Sequence, residues 1–261
     1  MVKKFYTAVL IGAFLLTGLM LSAAPMAVHN EVGNWYDVKS DYYRCTIYVG
    51  CMYPVWFTSD DGKVEFPRGF LLDWIKKSDA PDTELHYLRE DHFAEINIIE
   101  NSEETLIVEC VGKFCKGNRS FPGVNAVYRW TFHKNSPEIQ LKGTLSFAEG
   151  APRQMCLVML GSMAFNNMPF DLVQLGDAEP KALRTPGKAP EAFVSKDGAM
   201  MLTADGKLRL GVSTPAVVWN NSVNSFYTYV STNMKMSDRM WNGQQPFVFE
   251  MTFKVDGRSA R

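Results

Sequence analysis

The chain lacks what several large protein classes need. It has no basic surplus, with 27 Lys and Arg against 28 Asp and Glu, and no run of Lys or Arg gathers positive charge. Phosphate-neutralising patches are therefore missing, which argues against a nucleic-acid partner. Its four His and five Cys include no CxxC pair and no His-rich cluster, so zinc-ligand spacing is absent and no metal is expected. No P-loop, GxGxxG, GxSxG or HExxH motif occurs, leaving nucleotide and zinc-protease readings unsupported, and no cofactor is expected. Helical periodicity is nearly absent. Only one stretch is apolar over a length that approaches a membrane span, and it lies at the N-terminus.

That stretch, MVKKFYTAVLIGAFLLTGLMLSAAPMA, occupies residues 1–27. Lys3 and Lys4 form a basic start, an apolar run extends from Phe5 to about Leu21, and the small residues Ser22, Ala23, Ala24 and Ala27 follow. This is the order of a secretory signal peptide. Pro25 is awkwardly placed for cleavage after either Ala24 or Ala27, and the run has the length of a short span, so an uncleaved anchor is the alternative. No Cys follows closely enough for a lipid anchor. The expectation is a secreted or periplasmic protein that meets a membrane, if at all, only through this segment. Without Lys3 and Lys4 the basic count falls to 25 against 28 acidic residues, a net charge of −3.

What is present is strand signal. Short runs rich in aromatic and β-branched residues alternate with turn residues: YYRCTIYV, YPVWFT, TELHYL, FAEINII, TLIVECVGKF, AVYRWTF and EIQLKGTLSF. The second half continues in the same way with CLVMLGSMAF, FDLVQL, AFVSK, AMMLTA, KLRLGVS, AVVWN, SFYTYVS and FVFEMTFKV. Asp61-Gly62, Asp197-Gly198 and Asp205-Gly206 mark turns. KGNRSFPG (116–123) is expected as a loop, and GDAEPKALRTPGKAPEA (176–192) as a long surface loop. FLLDWIKK (70–77) alone has apolar residues at helical spacing and is expected as a short helix on a sheet edge. Many short strands with regular turn signals predict an all-β fold. The architecture expected is a large antiparallel β-sandwich over residues 28–261, read as a single domain after the signal peptide.

The five cysteines are Cys45, Cys51, Cys110, Cys115 and Cys156. An exported chain could oxidise some of them, and the odd number leaves at least one unpaired. Cys110 and Cys115 fall in one predicted strand, roughly 16 Å apart when extended, too far for a bond. Most are expected to be buried and structural, with room for one disulfide.

The unit VYRWTFHKNSPEIQLKGTLSF (127–147) carries the main functional signal. Strand alternation places Tyr128, Trp130 and Phe132 on one face and Arg129, Thr131 and His133 on the other. In the next strand Ile139, Leu141, Leu145 and Phe147 oppose Gln140, Lys142, Thr144 and Ser146. The apolar faces form core, and the others form a polar sheet surface. An Arg that can grip a carboxylate with two bonds, beside aromatics that can lie against a pyranose, suits a sugar or uronate site. A solvated polar face is the plain alternative. In LHYLREDH, His86, Arg89, Glu90, Asp91 and His92 place bases, acids and a cation together, or else form a polar loop. Glu95 and Asn97 share a strand face suited to hydroxyl groups, Arg68 in FPRG could line a cleft mouth, and Trp56 heads the exposed-aromatic candidates, which also include Trp35, Tyr36, Tyr53, Trp219 and Trp241.

The succession YxWxF, turn, SPEIxLxGxLxF in residues 128–147 resembles the central hairpin of the galactose mutarotase-like super-sandwich. That fold also forms the β-sandwich part of polysaccharide lyases and several glycoside-active enzymes. DVKSDYYRCTIYVGCMYPVWFTSDDGK is similar to its opening strands, and NGQQPFVFEMTFKV to its closing strand. The similarity covers most of residues 34–256 and lies in strands and turns. Mutarotases carry an early Arg beside an Asn, two His and a late catalytic Glu. This sequence has no Asn-Arg pair or His at the matching places, and YTYVSTNMKMSDRMW lacks the Glu. The resemblance therefore implies a carbohydrate-active or carbohydrate-binding protein acting on poly- or oligosaccharide, without the mutarotase acid–base pair. If it is an enzyme, lyase or epimerase proton transfer is expected, with Arg129 holding substrate and His92 or His133 as base. Arg68, Glu95, Asn97 and Trp56 would bind substrate. The alternatives are a non-catalytic carbohydrate-binding module and a structural envelope protein making protein contacts.

Overall fold

The computed structural model describes residues 24–63, 65, 69–71, 73–117, 119–147, 153–166, 170–183, 192–213, 216–221, 227–232 and 236–258. The expected signal peptide or anchor lies almost wholly outside them. Among the described residues there is no α-helix, and no helix is long and apolar enough to cross a membrane. Strands β1 (Ala27–Asn30), β2 (Trp35–Lys39), β3 (Arg44–Tyr48) and β4 (Val55–Thr58) form one antiparallel sheet in chain order. The chain continues through β5 (Gly69–Leu71), β6 (Trp74–Lys77), β7 (His86–Tyr87), β8 (Glu95–Asn101), β9 (Thr105–Lys116), β10 (Arg119–His133) and β11 (Glu138–Phe147). Then come β12 (Met155–Met159), β13 (Met163–Asn166), β14 (Leu172–Leu175), β15 (Lys181–Ala182), β16 (Ala192–Ser195), β17 (Ala199–Leu202) and β18 (Arg209–Val212). The last are β19 (Ala216–Asn221), β20 (Tyr227–Thr232), β21 (Met240–Trp241) and β22 (Phe247–Asp256).

The main sheet runs β15-β14-β17-β18-β22-β11-β10-β9-β7-β6-β12-β21, with β8 also paired to β9, and the third sheet runs β16-β19-β20-β13-β5. The long strands β9, β10, β11 and β22 are its centre. Alternation sorts their residues as the pattern predicts: Leu106, Val108, Tyr128, Trp130, Phe132, Ile139, Leu141 and Met251 are buried, while Arg129, Gln140, Lys142 and Glu250 are exposed. The first sheet covers the apolar face. Trp130 Nε1 donates to Met52 O at 2.9 Å, and Phe57 meets Trp130, Ile139, Phe253 and Val255 around a small apolar void. Backbone bonds fasten its corners, from Asp41 N to Lys134 O (2.7 Å) and from Gly257 N to Tyr42 O (3.0 Å). The large antiparallel sandwich expected from the sequence is what forms, and one contiguous core runs from Met26 to Val255.

Four local expectations change. Residues 70–77 do not form a helix: β5 pairs with β13, and β6 pairs with β12 and β7. A helix of two turns has a costly nucleus and few bonds to offset it, so the edges of two sheets claim the segment instead. Arg119–Gly123 is not a loop but the start of β10. The register slips between Ser120 and Asn125, the interval that contains Pro122, and proline is found in strands at such irregularities because it has no N–H for the ladder. TELHYL gives only the two-residue β7 between short 3-10 turns at Asp82–Glu84 and Leu88–Glu90. CLVMLGSMAF is two strands in two sheets, β12 in the main one and β13 in the third. All five cysteines are free, with Cys45, Cys110 and Cys115 buried.

The break between β12 and β13 has a definite cause. Asp73, between β5 and β6, is fully buried, and its carboxylate accepts Gly161 N and Ser162 N, each at 2.9 Å. Gly161 sits at φ 58°, a conformation that glycine adopts without cost. Tyr128 Oη donates to Asp73 Oδ2, so the same carboxyl ties the centre of β10 to the crossover between sheets. Burial pushes the Asp73 carboxyl up to about 7, against the pull of these three donors. In the unfolded chain it returns to the ordinary carboxylate range, so between about pH 4 and 7 the folded state holds the extra proton. Stability from this group is therefore fullest below pH 4 and is lost as pH rises to 7. Urea unfolding across pH 4–8 is expected to show that decline, and Asp73→Asn is expected to flatten it. Asp73→Ala, which strands three buried donors, is expected to cost about 3–5 kcal/mol.

Candidate functional site

The outward face of β8, β9, β10, β11 and β22 is the most organised polar surface described. Antiparallel register sets directly opposed residues on the same side. Asn97 faces Glu109, Glu109 faces Arg129, Arg129 faces Lys142, and Lys142 faces Glu250. These five side chains form one row across five strands. Arg129 Nη2 meets Glu109 Oε2 at 2.7 Å, and Lys142 Nζ meets Glu250 Oε1 at 3.3 Å. The row is charge-balanced, with two bases flanked by an acid on either side as −, +, +, −. A second row two residues along adds hydroxyl and amide groups: Thr131 faces Gln140, and Gln140 faces Thr252. Between the rows lies an open groove of about 340 Å³ lined by Arg129, Thr131, Gln140, Lys142, Glu250 and Thr252. Leu141 and Met251, whose side chains are buried in the core, complete its floor.

The expected site residues divide into three groups. Arg129, Glu95 and Asn97 share this face; Asn97 lies two strands from Arg129, roughly 10 Å away by strand spacing. The histidines stand at its opposite ends. His133 Nδ1 is 3.3 Å from Thr105 Oγ1 at the far end of β10. His92 is exposed in the turn before β8, whose first residue, Glu95, opposes Val111. Six residues separate Val111 from Thr105 along β9, so the histidines are more than about 20 Å apart. Trp56 is on β4, in the sheet on the other side of the core. Arg68 lies outside the described residues, as does the side chain of Trp219.

In the LHYLREDH segment Asp91 has a structural role. Asp91 is buried, its Oδ1 accepting Phe93 N at 3.0 Å and its Oδ2 accepting Lys113 N at 2.7 Å. Burial lowers the pKa of His86, favouring its neutral form. Trp241 is core, donating from Nε1 to Gln245 O at 2.7 Å and packing on Phe147. Glu109 and Glu250 were missed by sequence reasoning. Each stands at an outward position of a strand whose inward residues are apolar, which was a visible signal. Their partners depend on register between strands 20 and 108 residues apart in sequence, and that was not visible.

No protein-family model matches the chain, and no curated protein is significantly similar to it. Solved structures do resemble it. The α-galactosidase of Geobacillus stearothermophilus in complex with 1-deoxygalactonojirimycin superposes with a TM-score of 0.60 at 10% identity, over 85% of this chain and 40% of that one. A galactose mutarotase related enzyme from Lactobacillus acidophilus gives 0.51 at 10% identity, over 85% of this chain and 97% of that one. The fold is that of the galactose mutarotase-like sandwich. An α-mannosidase from Enterococcus faecalis also matches, with a TM-score of 0.52 at 9% identity, over 89% of this chain and 30% of that one. The chain thus spans about 40% of the length of the α-galactosidases it matches and nearly the whole of the mutarotase-related enzyme. At such identities the likeness concerns the fold, and what this mutarotase-like sandwich does must come from its own surface.

The ion pairs of the row are half-exposed and contribute on the order of 1 kcal/mol or less each. They therefore do little to hold the sheet. Arg129→Ala is expected to leave the urea midpoint nearly unchanged, whereas Trp130→Ala, on the same strand but facing inward, is expected to lower stability by about 3–5 kcal/mol.

Proposed function

We propose that this chain is an exported carbohydrate-binding protein that holds an oligo- or polysaccharide against the outward face of β8–β11 and β22. The observation that carries the reading is the groove between the two polar rows. A sugar presents hydroxyl groups that both donate and accept, and it is best met by donors and acceptors fixed side by side. Arg129 and Lys142 supply donors, Glu109 and Glu250 supply acceptors, and Thr131, Gln140 and Thr252 supply both. Because the row is charge-balanced, it fits a neutral, hydroxyl-rich glycan better than a polyuronate, whose carboxylates would have to displace Glu109 from Arg129. The mutarotase-like fold agrees with this ligand class. The Geobacillus α-galactosidase is also known in complex with stachyose and with raffinose. The basic start and apolar run of residues 1–27 support a periplasmic or secreted location.

Binding is favoured over turnover by the spacing of the ionisable groups. Proton transfer by a lyase or epimerase needs an acid and a base on either side of one sugar carbon. His92 and His133 sit at opposite ends of the sheet. Glycoside hydrolysis needs two carboxyl groups within about 10 Å, and Glu109 and Glu250 are three strands, roughly 14 Å, apart and already paired.

The test is the purified chain on an array of neutral and uronate oligosaccharides, with the bound glycans then incubated and examined for products. Selective retention of neutral glycans is expected, without product. Arg129→Ala combined with Lys142→Ala is expected to weaken the strongest interaction by at least about tenfold while the fold persists. Unchanged binding by that double variant, or a blank array with folded protein, would remove this reading.

A further inference from the structure

The outer face of the first sheet is aromatic. Its inner side is core, with Val38, Cys45, Ile47 and Phe57 buried. Its outer side holds three large rings in a row. Trp35 on β2 is the register partner of Tyr48 on β3, with ring centroids 5.5 Å apart in edge contact. Tyr48 meets Trp56 on β4 at 5.0 Å, again edge to face at 84°. Trp56 is 40% exposed.

Trp56 is there because the backbone is bent to place it. The pairing of β3 with β4 slips between Arg44↔Thr58 and Thr46↔Val55, so β4 carries one residue more than β3 over that interval. Such a bulge re-aims a side chain. The extra turn falls at Trp56, whose φ is 49°, a left-handed conformation that a bulky residue adopts only against strain. Phe57 thereby keeps its inward place, and the indole of Trp56 is turned outward beside Tyr48. A strained tryptophan on the surface adds nothing to the core.

Trp35 is equally fixed. Its Nε1 donates to Asp37 Oδ1 at 2.9 Å, and its ring lies so close to the Gly33 backbone that a Cβ there would sit 1.5 Å from the ring. Only glycine leaves that space. Beside the rings, one strand step away on the same face, are Asp37 and its partner Thr46, then Lys39 and its partner Arg44. Flat apolar rings held rigid, with hydroxyl, carboxylate and cationic groups alongside, match a pyranose: its C–H face stacks on a ring and its edge hydroxyls reach polar neighbours.

We propose that Trp35, Tyr48 and Trp56 form a second sugar-binding site, an aromatic platform for a neutral pyranose on the face of the sandwich opposite the polar groove. It rests on the carbohydrate reading of the chain, but not on Arg129 or its row. Two sites on opposite faces let one molecule bridge two glycan segments, so multivalent retention on a polysaccharide should exceed either site alone.

The experiment uses the full chain, Trp56→Asn, Arg129→Ala and the combined variant, titrated with stachyose and with neutral gluco- and galacto-oligosaccharides while tryptophan fluorescence is followed. Asn tolerates the left-handed conformation, so Trp56→Asn is expected to hold or raise the thermal midpoint. It should reduce the fluorescence change and weaken affinity for at least one oligosaccharide by about tenfold. Trp56→Phe should restore part of the affinity. Arg129→Ala should keep the fluorescence response while losing its own share of binding. If Trp56→Asn binds every oligosaccharide as the parent does while Arg129→Ala loses them, the platform is refuted and the polar groove stands. If the parent itself binds none, both fall.

Discussion

The structure depends on the antiparallel register that runs continuously from Asn125 to His133 of β10 against β9 and on through β11 and β22. Side chains alternate between faces with period two, so a slip of one residue would bury Arg129 and Thr131 and expose Trp130 and Phe132. Hydrophobic burial opposes that slip everywhere along the strands. Two buried polar contacts oppose it at single points. Trp130 reaches the Met52 carbonyl and Tyr128 reaches the Asp73 carboxyl, and either would be stranded in a shifted register. The core, the polar face and the docking of the other sheets all follow from this one alignment.

Given that alignment, the sandwich has two outer faces of different chemistry. The main sheet presents balanced charge and hydroxyl groups. The first sheet presents rings. Neither face contributes much to stability: half-exposed ion pairs are weak, and the outward Trp56 is held in a conformation that costs free energy. Groups that hold a fold together are usually inside it. Ordered groups on the surface that do not hold it together are where a ligand is to be sought, and the two proposed sites divide the work, one addressing hydroxyls and the other a C–H surface.

The mutarotase-like sandwich recurs in proteins of different size and chemistry, and this chain sets the two candidate bases, His92 and His133, far apart on it. One lies in the turn before β8 and the other at the end of β10, two positions separated by most of the length of the sheet. Groups so far apart do not act together on one sugar carbon.

Local pattern was enough for much of this. Alternation in AVYRWTF and EIQLKGTLSF assigned inward and outward residues, and the Asp61-Gly62 and Asp205-Gly206 turns formed where expected, with Gly62 N bonded to Ser59 O and Gly206 N to Thr203 O. The all-β class and the polar face with Arg129 and Lys142 were legible because each depends only on neighbours along one strand. The helix expected in FLLDWIKK, the loop expected in KGNRSFPG and the unbroken run CLVMLGSMAF failed because pairing partners remote in sequence decided them. The same holds for the sites. That Arg129 and Trp56 face outward was within reach of the sequence. That Glu109 and Glu250 complete the row, that Asp73 joins β10 to the crossover at Gly161, and that Trp35, Tyr48 and Trp56 stand side by side was settled only by tertiary structure, because strand order and register are set by the burial of the whole core and not by any one segment of it.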